Sequence, residues 1–170
     1  MSTLAQEKVT SSPPEGYEEV QKHYLESLSL VERLNRRLLE VVKNEFDRTG
    51  SSKINAIQAL LLFNIGGEEL SAGELRSRGY YQGSNVSYNL KKLVDLGYIH
   101  HRPSKDDRRS VRIKLTEKGQ EIHDVVEGLY NRHVLSIEKV GGLSPEEFQT
   151  MNESMQRLER FWTDQILYRL

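Results

Sequence analysis

Cysteine is absent from the 170 residues. That excludes disulfides, thiolate metal sites, cysteine nucleophiles and cysteine-based redox sensing together. Long apolar runs are also missing: the densest, around Ala59–Ile65, is far too short to span a bilayer. The opening MSTLAQEKVTSSPPEGY lacks the apolar core after a basic start that a secretory signal needs. It is polar and small, and residues 1–16 read as a disordered arm. No glycine-rich phosphate loop, no G-x-S-x-G and no H-E-x-x-H occurs. No enzymatic activity, cofactor or membrane association is expected, and a cytoplasmic location fits.

An overall charge of one sign is lacking too, since the formal net charge is −1. The average conceals an asymmetry. Residues 72–120 hold eleven Lys/Arg against five Asp/Glu, and the rest of the chain thirteen against twenty. One basic region in an otherwise acidic chain points to an anionic partner met through one face.

The pattern of apolar residues predicts mainly helix. From Tyr17 to Arg48, Val20, Tyr24, Leu28, Val31, Leu34, Leu38, Val41 and Phe46 recur at three or four. This is one apolar stripe on one long helix, stopped by Gly50. INAIQALLLFNIGG is apolar on nearly all sides and should be a buried short helix. Ser71-Ala72-Gly73-Glu74 is a capping box opening another short helix that carries Leu75. SNVSYNLKKLVDL is a further helix, stopped by Gly97. YIHHRP and SVRIKL read as two strands of a hairpin. Thr116 caps a helix over residues 117–140, and Ser144-Pro145-Glu146-Glu147 starts the last one.

A short helix, a turn, a second helix and a hairpin make a winged helix-turn-helix. The fold class is mainly α with a small β-hairpin. Residues 49–116 form the DNA-binding lobe, and residues 17–48 and 117–170 supply long helices that bury their stripes in a dimer. On the helix after the turn, Val86, Leu90, Leu93 and Val94 share one side at about 100° per residue. Ser84, Tyr88, Lys91, Lys92 and Asn85 face the other way, with Ser87 and Asn89 on the flanks. These donors suit phosphates and base edges in a major groove.

The stretch that follows, RPSKDDRRSVRIKLTEKG, carries Arg102, Lys105, Arg108 and Arg109 before Arg112 and Lys114 alternate with Val111, Ile113 and Leu115. Such a hairpin suits the electronegative minor groove. Asp107, two residues before Arg109, is placed to brace it by a charge-assisted hydrogen bond.

NVSYNLKKLVDLGYI and DRRSVRIKLTEKG together resemble the MarR family of transcriptional regulators. The family's wing pattern is matched by Asp107, Arg109, Leu115, Thr116 and Gly119, and the order of elements matches from about residue 17 to 170. The turn RGYYQGS departs from the pattern at Tyr80, Tyr81, Gln82 and Gly83. The resemblance implies a homodimer that sets one winged helix on each half of a near-palindromic double-stranded operator. It also implies repression relieved by a small, often aromatic effector. Arg109 would then be the minor-groove arginine and Asp107 its brace. A cleft among the first long helix, the buried helix and the helix after the wing is the expected effector site, lined by Leu38, Phe46, Ile57, Leu61 and Phe63.

Two rivals remain open at this stage: a winged helix that binds protein rather than DNA, and a metal-responsive regulator. The histidines are His23, His100, His101, His123 and His133. Adjacent His100 and His101 point to opposite faces of a strand. His123 and His133 are ten residues apart, about 280° around a helix, so no metal site is expected.

Overall fold

The computed structural model describes residues 13–50, 53–71, 74–75, 83–103 and 111–168, without the side chains of residues 83–86, 103 and 111. The elements are α1 (Tyr17–Thr49), α2 (Ala56–Ile65), β1 (Leu70–Ser71), α3 (Gly83–Asp95), β2 (Ile99–Pro103), β3 (Val111–Leu115), α4 (Glu117–Gly141) and α5 (Pro145–Tyr168). Glu74 and Leu75 are helical, where the capping box places the start of a short helix.

Local signals account for most boundaries. Gly50 and Gly142 stop α1 and α4 in the left-handed conformation, at φ 69° and 67°. At residues 71–74 the expected reciprocal cap is present: Glu74 N–H donates to Ser71 Oγ at 3.0 Å, and Ser71 N–H donates to Glu74 Oε2 at 2.6 Å. Ser144 and Glu147 repeat it before α5, at 2.8 and 3.2 Å. A third box at Asn55 and Gln58 opens α2; sequence inspection passed it over.

The expected hairpin is part of a three-stranded antiparallel sheet in the order β1-β3-β2. Leu70 pairs with Ile113 and Ser71 with Arg112. A two-residue strand is too short to show alternation, so only its pairing reveals it.

The core sits where α2, the C-terminal end of α1, α3, the sheet and the first half of α4 meet. Val42 and Phe46 of α1, Leu61, Leu62 and Ile65 of α2, Leu75, Leu93 of α3, Ile113 of β3 and Val126 of α4 are all buried there. The apolar α2 is largely enclosed, with Gln58, Ala59, Leu61, Leu62 and Ile65 buried and Ile57 left exposed. The apolar stripe of α1 divides instead. Only its last turns enter the core, while Val20, Tyr24, Val31, Leu34 and Leu38 remain exposed. No residue of α5 is buried, and Trp162 Nε1 donates to Tyr24 of α1 at 3.2 Å.

Two polar joints tie the long helices to this core. Glu45, with its side chain 11% exposed, accepts from Arg132 of α4 at 2.6 Å and from Arg48 at 2.7 Å. The hydrogen bond from Arg48, with Arg132 adding to it, holds the Glu45 carboxyl below its ordinary 4.5 against a smaller opposing push from burial.

The second joint is the turn after α3. Thr116 Oγ1 accepts from Gly119 N–H at 3.1 Å and donates to the Gly97 carbonyl at 2.8 Å. Thr116 N–H donates to the Tyr98 carbonyl at 3.1 Å. Lys118 Nζ donates to the Leu96 carbonyl at 2.8 Å and lies 4.0 Å from the centre of the Tyr98 ring.

Two outcomes follow. A Cβ at Gly119 would stand 2.2 Å from the Tyr98 carbonyl oxygen. Gly119→Ala is therefore expected to destabilise the protein by roughly 1–3 kcal/mol, the usual range for overpacking. A wild-type midpoint in chemical denaturation would disprove the close approach. For Glu45, a carboxyl held low in the folded state contributes stability that is present above its unfolded value and lost as pH falls through the folded one. Glu45→Gln should lower the thermal midpoint at neutral pH. The gap to wild type should close as the pH falls below about 4.5; a gap independent of pH would remove Glu45 from the acid response.

Candidate nucleic-acid interface

The α3 helix is positioned by its inner face. Leu93 is fully enclosed, Leu90 nearly so, and Val94 packs at the edge of the core. With these residues fixed inward, Tyr88, Lys91 and Lys92 must project outward, and all three are exposed, Tyr88 by 67%. Ser87 is exposed beside them. The outer face thus offers hydroxyl, phenol and ammonium groups, and no carboxylate enters the helix before Asp95. Ser84 and Asn85 belong to its first turn, but their side chains lie outside the described residues.

Asn89 departs from the expectation of an outward base-reading residue. It is half-buried, and its Oδ1 accepts from Gln58 Nε2 of α2 at 3.1 Å. Gln58 is only 1% exposed, and among the described residues no buried side-chain polar atom lacks a partner. Sequence inspection missed Gln58 as the partner of Asn89. Its signal was an amide in the first turn of an apolar helix, three residues after an asparagine.

The sheet adds a second basic surface. In the β2–β3 register His100 faces Lys114 and Arg102 faces Arg112. Directly opposed residues share a face, so these four line one side, around a shallow basin of about 310 Å³. The like-charged pair Arg102 and Arg112 costs stability, which an anionic partner would relieve. Arg112 is already paired, donating to Glu74 at 3.2 Å. Ile99, His101, Ile113 and Leu115 line the other side, where only His101 is exposed. The wing-tip residues Lys105, Asp107, Arg108 and Arg109, and the turn residues Tyr80, Tyr81 and Gln82, lie outside the described residues.

Of the residues expected to line an effector cleft, only Phe46 and Ile57 are brought together. Phe46 and Ile57 share a groove of about 480 Å³ between α1 and α2, walled also by Leu39, Lys43, Ile54 and Asn55. Leu61 is enclosed in the core, at 1% exposure, and Leu38 is exposed on α1. Phe63 faces α4 instead. It stacks on His123 and meets Tyr130 edge-on, both at 5.1 Å between ring centres. Burial there raises the Tyr130 phenol above its ordinary value. His123, Asp124 and Glu127 bring ligand-type atoms within 4.8 Å of one another, a grouping not anticipated from His123 and His133. His123 is already engaged with Phe63, Gln120 and Asp124. Among the described residues no helix is long and apolar enough to cross a membrane.

Residues 54–119 match the winged helix DNA-binding domain family. Over 145 residues, 85% of this chain and 74% of the relative, the sequence is 35% identical to the exopolysaccharide II synthesis transcriptional activator ExpG of Rhizobium meliloti. In fold it is similar to a mutant of MarR from E. coli complexed with operator DNA, with TM-score 0.63 and 20% identity over 86% of this chain and 99% of that one. It is likewise similar to FabT of Streptococcus pneumoniae in complex with DNA, with TM-score 0.61 and 24% identity over 83% and 98%. A polar outer face on α3, a basic sheet beside it and a relative that spans most of both chains agree: the chain belongs to the MarR family of winged helix-turn-helix DNA-binding transcriptional regulators.

Proposed function

We propose that the protein works as a homodimer, reading a near-palindromic operator with one α3 helix in each half-site. The observation that carries this is the outward face of α3, with exposed Tyr88, Lys91 and Lys92 beside the cationic sheet. Tyr88 serves base preference, with Ser84, Asn85, Ser87 and Asn89 around it. Lys91, Lys92, Arg102 and Arg112 meet phosphates, whose contacts set register and salt dependence. Lys105, Arg108 and Arg109 extend the contact to the minor groove, with Asp107 bracing Arg109, as the wing pattern implies.

The dimer reading rests on unpartnered apolar surface. Val20, Tyr24, Val31 and Leu34 of α1, Val134, Leu135 and Val140 of α4, and Phe161, Ile166 and Leu167 of α5 are all exposed in the single chain. Patches of this extent mark an interface, and a second copy supplies the same patches by two-fold symmetry. Residues 17–48 and 117–170 are thus the dimerisation region, and residues 49–116 the DNA-binding lobe. A chromosomal target places the protein in the cytoplasm.

The groove between α1 and α2 suits a small aromatic or apolar effector, with Phe46, Ile54 and Ile57 as walls and Lys43 at its edge. Such a ligand shifts DNA affinity only by binding one spacing of the two lobes better than the other. Repression relieved by that ligand is the reading that the family resemblance favours. The relative with 35% identity bears the name of an activator, and this favours activation as a second reading. Genomic footprinting with transcript measurement in a deletion strain decides between them. Sites overlapping the promoter with raised transcripts support repression; upstream sites with lowered transcripts support activation. A protein that occupies no discrete sites would disprove operator recognition altogether.

Substitutions separate the roles. Arg109→Ala is expected to weaken operator binding by roughly 1–3 kcal/mol if it reads the groove; unchanged affinity at matched salt would sink the wing assignment. Lys92→Ala should weaken binding evenly across sequences and reduce the slope of log affinity against log salt by about one. Tyr88→Ala should instead change which base pairs are selected, and a loss uniform over all sequences would demote it to a phosphate or packing role.

A further inference from the structure

We infer that the basin on the outer face of the sheet is a seat for DNA backbone phosphate in which the His100 imidazole is charged only while DNA is present, so that operator binding takes up a proton. The inference rests on the reading of α3 and the sheet as the DNA-facing surface.

The argument begins with the strand register. His100 stands directly opposite Lys114, and Arg102 directly opposite Arg112. Alternate residues of a strand share a face, so the two pairs form two rows about 6.7 Å apart on one side of the sheet. The basin of about 310 Å³ lies over both rows. The rows differ in how they hold their charge. Arginine is charged at every accessible pH, and Arg112 already donates to Glu74 at 3.2 Å. The other row pairs an ammonium with an imidazole, and both side chains are exposed. Imidazole is the side chain whose charge ordinarily changes roughly between pH 5 and 8.

Around His100 stand Lys114 and Arg112 of β3, Arg102 of its own strand, Glu69 ahead of β1 and Glu117 at the start of α4. A phosphate seated on this row brings negative charge beside the imidazole from outside the protein, and an opposite charge within about 4–6 Å favours the charged form. Protonated from solvent, His100 donates from both ring nitrogens and adds a second cation to the row. Without the anion that cation would face Lys114 as a like-charged cross-strand pair, which costs stability. The row thus gains its second charge together with the phosphate. His101, the next residue, supplies the comparison. It is also exposed, but it lies on the other side of the sheet, opposite Ile113.

The test uses the full-length protein and a duplex carrying a site recovered by genomic footprinting. Calorimetry at neutral pH in two buffers of different ionisation heat counts the protons exchanged, and wild type is expected to take up as much as about one per chain. A group whose proton affinity rises in the complex adds to binding below its free-state pKa, and the gain is lost as pH rises through its bound-state pKa. At fixed ionic strength the affinity is therefore expected to rise by roughly tenfold from about pH 8 to about pH 6, each unit of raised proton affinity being a tenfold gain. Over the same range the slope of log affinity against log salt should steepen by about one per chain.

His100→Gln is expected to lose the uptake and most of the gain on acidification. His100→Lys carries the charge permanently, so it should bind tightly at both ends of the range, again without uptake. His101→Gln should keep the wild-type uptake. His100 is exposed on an edge strand, and thermal midpoints close to wild type are expected for both of its variants; should His100→Gln unfold, His100→Lys decides alone. Wild type that binds the duplex without uptake overturns the inference. So does uptake that survives in a folded His100 variant, or that vanishes in His101→Gln. Wild type that recognises no duplex overturns the reading of the DNA-facing surface itself, and the two failures are thereby distinguished.

Discussion

The arrangement of this protein depends on the joint at which the turn after α3 meets the start of α4. Gly97, Tyr98, Thr116 and Gly119 hold it together through three hydrogen bonds and one close approach. Thr116 serves both sides at once, capping α4 with the oxygen that also donates to the Gly97 carbonyl. Gly119 has no side chain to keep the helix away from the Tyr98 carbonyl, and the Lys118 ammonium closes the remaining edge over the Tyr98 ring. Rotating α3 relative to α4 would break these bonds together. The joint therefore ties α3 to the start of α4, and whatever fixes α4 bears on where Tyr88, Lys91 and Lys92 point.

Charge is organised around the same joint. Outside residues 72–120 the acidic residues outnumber the basic ones, and inside them the reverse holds. Within a Debye length of about 8 Å at physiological salt, a phosphate approaching the sheet meets His100, Arg102 and Lys114 on one face. Glu69 and Glu117 stand at the rim of the same basin, so its field is basic without being free of carboxylates. Arg112, though on this face, is committed in part to Glu74. That exposed ion pair is worth little by itself, and a phosphate can compete for the guanidinium.

The parts of this fold legible in the sequence are those written in neighbouring residues. The boxes at Ser71 and Glu74 and at Ser144 and Glu147, the cap at Thr116 and the glycine stops each need at most four residues. The two faces of α3 need only a period of 3.6, and Leu90 and Leu93 duly face inward. What escaped is long-range pairing of polar groups. Gln58 to Asn89 spans 31 residues and Arg132 to Glu45 spans 87; no periodicity encodes either. The two residues of β1 are strand only because β3 lies alongside. The division of the α1 stripe was hidden for a related reason. Apolar spacing marks a face, but not whether the rest of the chain covers it, as for Val42 and Phe46, or leaves it exposed, as for Val20 and Leu34. The expected effector residues converge only at Phe46 and Ile57, because Leu61 and Phe63 lie on sides of α2 that the core and α4 occupy.

A rigid joint has a mechanical consequence. The 25 residues of α4 make a rod of roughly 37 Å at 1.5 Å per residue, close to the 34 Å between successive half-sites on one face of B-DNA. One end of the rod is locked to the DNA-facing lobe. The other bears exposed Val134, Leu135 and Val140, apolar surface left uncovered by the described residues. Tilting such a rod by a few degrees at its apolar end displaces its other end by a few ångströms, the scale on which donors and acceptors in the groove go out of register. In the proposed dimer, a small change in how two copies pack would thus become a change of several ångströms in how the two α3 helices are spaced. The groove between α1 and α2 shares Phe46 and Ile54 with the core into which α4 packs, and no residue of α3 lines it. The same geometry serves repression and activation equally, because the joint transmits only a distance; the sign of regulation is set by where on the DNA that distance is satisfied.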